Sequence, residues 1–218
     1  MAETVFAEQQ VNEFIYDLNS SKPMPGGGSA AALCGAMAAA LTGMSAHMTV
    51  GKKKYAAVDA KMQGIITLTE ELQEEMMNFA QEDADMYSLV LDAYKLPKKT
   101  AEEAERRDLA IDDASRTAVY SSLKVTRACN RIMKLAYTVV TEGNRMLVTD
   151  GGASALLARA CQRVAAYNVK INLGGVADPV FKARAQQELE RQLADGKALE
   201  EEVLKEEIRD QAEEVREE

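Results

Sequence analysis

Between Lys22 and Lys52 the chain carries no formal charge apart from whatever His47 holds. A stretch that long without Asp, Glu, Lys or Arg is built for burial, either in protein or in lipid. Alanine, glycine, serine and threonine dominate it. These make poor lipid contact but let helices approach one another closely. The pattern therefore predicts a buried central helix from Ser29 to about Met48 rather than a membrane span. One of its faces is bulky, with Leu33, Met37, Leu41, Met44 and Met48. Another is a groove of small residues, Gly35, Ala39 and Gly43, expected to pack tightly against a neighbouring helix.

The approach to that helix reads Pro23-Met24-Pro25-Gly26-Gly27-Gly28-Ser29-Ala30. Two prolines exclude helix before it, and the glycines allow a sharp turn and close backbone approach. Ser29 is the expected N-cap. A glycine turn emptying into a helix offers free N–H groups and the positive end of the helix dipole, suited to an anion or a polar ligand edge. The plainer alternative is a tight turn into a buried helix. It is not a P-loop, since no Lys-Ser/Thr pair follows, and no strand precedes it as a dinucleotide fingerprint requires.

The rest of the chain reads as helices. Residues 3–19 place Val11, Phe14, Ile15 and Leu18 on one face. Gly51 ends the central helix, and Lys52-Lys53-Lys54-Tyr55 follows, either a solvated run or a holder for a ligand carboxylate. From about Ala57 to Leu96 an apolar seam runs through Met62, Ile65, Thr69, Leu72, Met76, Phe79, Asp83, Met86 and Val90. Asp83 is the misfit. A seam carboxylate is costly unless paired or neutralised, so Asp83 meets a cation, sits where the seam reaches water, or is a pKa-shifted group in a cleft.

After the break at Leu96-Pro97, Thr100-Ala101-Glu102-Glu103 reads as a capping box. The helix it opens runs to about Glu142, with Ile111, Ala114, Ala118, Val125, Cys129, Ile132, Ala136 and Val139 inward. Gly143-Asn144 is expected to end it in a left-handed cap. Asp150 or Thr149 caps the next helix, which carries Asn168 and Asn172 on one face. Two carboxamides there can satisfy each other or read a heterocycle with donors and acceptors. Asp178-Pro179 opens a charged terminal helix over 180–217, expected to be solvated or frayed from Glu200 onwards. No segment alternates like a strand and no repeat is evident. The fold is all-α, a bundle of about six helices in a single domain, 1–218.

A net charge of −9 argues against nucleic acid as the main partner. One histidine, His47, and three scattered cysteines, Cys34, Cys129 and Cys161, give no metal-ligand spacing and no CxxC. Unpaired thiols and the lack of a signal peptide point to the cytoplasm.

Together these residues resemble the cyclodeaminase domain of formiminotransferase-cyclodeaminase, a family that includes stand-alone methenyltetrahydrofolate cyclohydrolases. The resemblance lies in Pro25-Gly26-Gly27-Gly28-Ser29-Ala30-Ala31-Ala32, in Gly51-Lys52-Lys53-Lys54-Tyr55, and in Asp83 upstream of Leu96-Pro97-Lys98. It continues in Gly143-Asn144 with Thr149-Asp150 and in Asn168-Val169-Lys170-Ile171-Asn172-Leu173, spanning roughly residues 5–180. Where the family often has a proline in the fourth helix, Ser121-Ser122 stands here. No formiminotransferase domain accompanies the motifs, so channelling from a fused partner is not expected.

The resemblance implies an all-helical homodimer acting on a tetrahydrofolate that carries a one-carbon unit, with no cofactor and no metal. It implies Asp83 as the catalytic acid/base. As substrate-binding residues it implies Gly26, Gly27, Gly28, Ser29, Lys53, Lys54, Tyr55, Asp150, Asn168 and Asn172. Should Asp83 be structural, Asp150 is the next candidate. Two reactions fit: cyclisation of 5-formiminotetrahydrofolate with loss of ammonia, or opening of 5,10-methenyltetrahydrofolate by water to the 10-formyl form. The motif match favours the cyclodeaminase. A helical dimerisation module is the competing class; it explains the heptads but not the glycine turn, the seam Asp and the paired asparagines together.

Overall fold

The computed structural model describes residues 6–217, with the side chains of Ala7 and of 207–217 outside the description. Residues 3–5 of the expected first helix lie outside the described residues. Six α-helices follow in order: α1 (Val11–Leu18), α2 (Gly27–His47), α3 (Asp59–Lys95), α4 (Ala101–Glu142), α5 (Val148–Asn172) and α6 (Pro179–Glu217). Short 3-10 turns occupy Phe6–Glu8, Lys53–Val58 and Arg145–Leu147, and no strand occurs among the described residues.

Helix α2 is the hub. It packs against α3 and α5 and touches α4, while α6 lies on α4 and α5. The small-residue face explains why. Ala38, Ala39 and Ala46 are wholly buried, and a Cβ built on Gly35 would strike Met76 Cε. Gly43 faces the Thr69 hydroxyl in the same way, with a Cβ there only 2.7 Å from its oxygen. Close-packed interiors give such positions no slack. By length and composition α2 could cross a membrane, yet 61% of the apolar window is buried inside the protein. Its bulky stripe turns the other way: Met37, Met44 and Met48 are 53%, 37% and 47% exposed.

The α3 seam is buried from Met62 through Phe79 and opens towards Asp83. The capping box of α4 is formed, Thr100 Oγ1 accepting from the Glu103 amide at 3.1 Å. That helix runs through Ser121-Ser122 without interruption. Asp178 caps α6, its carboxylate accepting from the Val180 amide at 2.8 Å.

Several local expectations are corrected. The N-cap of α2 is Gly26, in extended conformation, and Ser29 lies inside the first turn, fully buried. Gly143 is extended (φ −87°, ψ −162°), because Thr49 and Asn144 rather than a left-handed turn satisfy this corner. Among the described residues only Gly51 has positive φ. Neither Asp150 nor Thr149 caps α5; the preceding 3-10 turn runs straight into it, and both fall in its first turn. In α1 only Phe14 is buried, while Val11, Ile15 and Leu18 are exposed. Beyond Glu200 the terminal helix is exposed at Glu201, Glu202 and Lys205, as expected, but Val203 is fully buried in the main core.

A polar knot holds α4, α5 and α6 together. Gln162 Nε2 donates to Asn130 Oδ1 (2.7 Å) and to the Gln192 carbonyl (2.9 Å). Asn130 Nδ2 donates in turn to Gln192 Oε1 at 2.7 Å. Arg159 donates to the remaining Gln162 oxygen.

Candidate active site

At the end of the bundle where α2 begins, the α3 seam reaches a cleft of about 400 Å³. That volume lies in the range of small-molecule sites. Asp83 stands on its wall, near buried Ala80 and Ala84, where the seam passes from fully to partly buried.

Two helices converge on its carboxyl. From α2 the Ser29 hydroxyl donates to Oδ2 at 3.3 Å, and the Ser29 amide also bonds to the carboxyl. From α5 the Asn168 Nδ2 donates to Oδ1 at 2.9 Å. Asn172, one turn on, donates to the Asn168 backbone carbonyl at 2.9 Å, which orients the Asn172 side chain. The backbone of Gly28 presses so closely on Asp83 that a Cβ there would collide with both carboxylate oxygens. The anion expected at the α2 N-terminus is thus the protein's own aspartate.

Burial pushes the Asp83 carboxyl up from its ordinary value of 3.8, and the Ser29 hydroxyl and amide pull it partly back. Among the described residues no lysine or arginine lines the cleft. Asp83 has hydrogen-bond donors and, among the described residues, no cationic partner. A raised carboxyl can hold and release a proton closer to neutral pH than a free one.

Gly26, Gly27, Gly28, Asn168 and Asn172 line the same cleft, and Ser29 reaches it only through Asp83. Lys53, Lys54, Tyr55 and Asp150 are elsewhere. They sit beyond the far end of α2 and at the start of α5, separated from Gly28 by a helix roughly 30 Å long. There Tyr55 accepts a hydrogen bond from the Arg145 amide at 3.2 Å, and Lys54 Nζ stands 5.5 Å from the Tyr55 ring. Within one chain these two groups do not meet.

Ser121 and Ser122 of α4 also line the cleft, with Met24, Tyr87 and Ile171. Their signal was available: they fall between Ala118 and Val125 on an otherwise apolar stripe, as Asp83 does on its seam. Among the described residues no cluster of His, Cys, Asp and Glu is arranged to hold a metal.

A cleft of this size with one half-buried carboxyl held by uncharged donors, beside two carboxamides, has the make-up of a small-molecule site. Comparison with known proteins agrees. The model of the formiminotransferase-cyclodeaminase family matches residues 10–191. A methenyltetrahydrofolate cyclohydrolase from Methylorubrum extorquens is 38% identical, covering 89% of this chain and 94% of that one. The rat formimidoyltransferase-cyclodeaminase is 28% identical over 87% of this chain, which spans only 35% of its length. The crystal structure of a formiminotetrahydrofolate cyclodeaminase from Thermotoga maritima superposes with a TM-score of 0.83 at 29% identity, covering 91% and 96% of the two chains. The chain belongs to the formiminotransferase-cyclodeaminase family, and is an enzyme of folate one-carbon chemistry of the cyclodeaminase or cyclohydrolase kind.

Proposed function

We propose that this chain opens 5,10-methenyltetrahydrofolate with water to give 10-formyltetrahydrofolate, with Asp83 as the acid/base. The observation that carries this is the Asp83 carboxyl itself, half-buried on the cleft wall, held by Ser29 and Asn168 with no cation beside it. The 38% identity to a cyclohydrolase over nearly that enzyme's whole length favours hydrolysis, against the motif match that favours deamination. Cyclodeamination is the second reading, supported by the full-length match to the Thermotoga maritima enzyme.

In the hydrolysis, water attacks the methenyl carbon while the Asp83 carboxylate takes one of its protons. A C–O bond forms and a neutral carbinol joins N5 and N10. Asp83 then delivers that proton to N5 as the C–N5 bond breaks, and the second water proton leaves to solvent as the formyl group forms. In the deamination the same carboxyl would carry a proton to the departing ammonia. One carboxyl suffices for either course, so no metal or redox cofactor enters. Gly26, Gly27, Asn168 and Asn172 would hold the edges of the folate heterocycle.

The outward Met37, Met44 and Met48 stripe of α2 supports a homodimer. A two-fold axis across that stripe pairs the two α2 helices antiparallel, which brings Lys53 and Lys54 of the partner subunit towards the cleft. Those lysines would then meet the carboxylates of the folate tail. Tyr55 and Asp150 belong to the same far end and would follow them. Free thiols at Cys34, Cys129 and Cys161 suit a reducing cytoplasm.

The deciding assay offers wild type and Asp83→Asn each of the two folate substrates. Hydrolysis by wild type and its loss in the variant is the expected result. An Asp83→Asn protein of near-normal turnover would remove Asp83 from the mechanism.

A further inference from the structure

Beneath the cleft lies a second, much smaller recess of about 20 Å³, sharing Asp83, Gly28, Ser121, Ser122 and Asn168 with the cleft above. Its floor is apolar, with Phe79 and Val125. That volume holds one water molecule and nothing larger, provided polar partners are at hand.

Two of the partners are already committed. Asn168 donates to Asp83, and the Ser122 hydroxyl donates to the Ala118 carbonyl at 2.9 Å. Ser121 differs. It is only 7% exposed, lines both the recess and the cleft, and makes no hydrogen bond within the described residues. Its oxygen stays open to the recess and the cleft, with its hydrogen-bonding capacity uncommitted to protein. A serine within a helix can turn back to a carbonyl of the preceding turn, as Ser122 does. Ser121 instead faces the space beside the carboxyl.

We infer that Ser121 and Asp83 together hold the water that attacks the one-carbon unit, Ser121 acting as a positioning residue rather than as the base. The inference rests on the hydrolytic reading above. The Ser121 hydroxyl orients the water's oxygen while the Asp83 carboxylate accepts its proton. The water's oxygen forms the new bond to the methenyl carbon, and the proton goes on to N5 as already described. The deamination needs no such water, because N10 is its nucleophile. Ser121 therefore bears on hydrolysis and not on cyclisation of the formimino substrate.

A crystal structure of the wild-type protein that resolves ordered waters tests the site, and Ser121→Ala kinetics test the role. Expected are a water within hydrogen-bond distance of both Ser121 Oγ and Asp83, and a fall in kcat for hydrolysis of about 10–100-fold, the usual penalty for a misplaced reactant. KM and Tm stay close to wild type. Any cyclodeaminase activity of the wild type is retained in the variant. A recess without that water, or a variant hydrolysing at the wild-type rate, overturns the inference while leaving the proposed function standing. A fall in deamination as large as the fall in hydrolysis overturns it too, since a general disturbance of Asp83 would do that. A wild type that cyclises the formimino substrate but does not hydrolyse the methenyl one removes the hydrolytic reading, and the water's role with it.

Discussion

Two of the places where the bundle buries polar side chains are satisfied to different degrees. Around Gln162 the amides of Asn130, Gln162 and Gln192 are closed on one another and on backbone carbonyls. Around Asp83 the carboxyl is held on one side by Ser29 and Asn168, and on the other it meets a cleft that also receives the unpartnered Ser121 hydroxyl. A closed network rigidifies and specifies packing, whereas an open one keeps hydrogen-bonding capacity for something else. Burial alone does not mark a functional polar group; the capacity left over does.

The contrast breaks most sharply at Asp83. Asp83→Asn keeps the shape but removes proton transfer, so turnover should fall by about 10²–10⁴-fold with the fold intact. Steady-state rates alongside circular dichroism would check this. The acid limb of the wild-type pH–rate profile should lie above the ordinary carboxylate range and vanish in the variant. Stability should move with it. The folded-state pKa is raised, so stability due to Asp83 is fully present below its unfolded value, about 3.8, and is lost as pH rises through the folded one. The Tm of wild type relative to Asp83→Asn should therefore decline as pH climbs towards neutral.

Next in size is Gly28→Ala. A methyl group there must displace the Asp83 carboxyl, and a misplaced catalytic group should cost about 10²-fold in kcat/KM. Unchanged activity would mean that Asp83 has a second productive position.

At the closed network the effect should change kind. Gln162→Leu leaves the Thr126 and Gln192 carbonyls and Asn130 Oδ1 without their shared donor, for a loss of about 1–3 kcal/mol in stability. Denaturant unfolding would measure it, with kcat unchanged in the folded protein. A large loss of kcat would show the two regions to be coupled. Smallest of all, Glu82→Gln and Asp85→Asn flank Asp83 but bond outward, to Lys124 and Gln81. Rates within about twofold of wild type are expected, because exposed charge pairs contribute little.

Much of this was legible in the chain. Asp83 announced itself by interrupting an apolar seam, and the small-residue face of α2 by its spacing. That face had to point inward, because only small residues let backbones meet. The methionines of the bulky stripe lie on the outside of the chain, the opposite of what side-chain size alone suggests. The contact between Gly28 and Asp83 was not legible, since it depends on how α2 and α3 are set against each other. The glycine run looked like a turn needing freedom, yet only Gly28 of the three is sterically fixed. Gln162 went unnoticed because glutamine is usually a surface residue. The separation of Lys53 and Lys54 from Asp83 could have been read from the length of α2, which carries one motif at each end.

The unbroken course of α4 has a consequence for what this sequence can tolerate. Ser121, on the cleft, and Thr126 and Asn130, in the closed network, ride on one helix. Each residue advances the helix by about 100°. A single insertion between Ser122 and Thr126 would therefore rotate one group out of phase with the other, whatever residue was inserted. The chemistry of Lys124 is free to vary, being exposed, but the count of residues is not. The closed network acts as a phase lock, and the direction in which Ser121 points is set by amides packed more than a turn away.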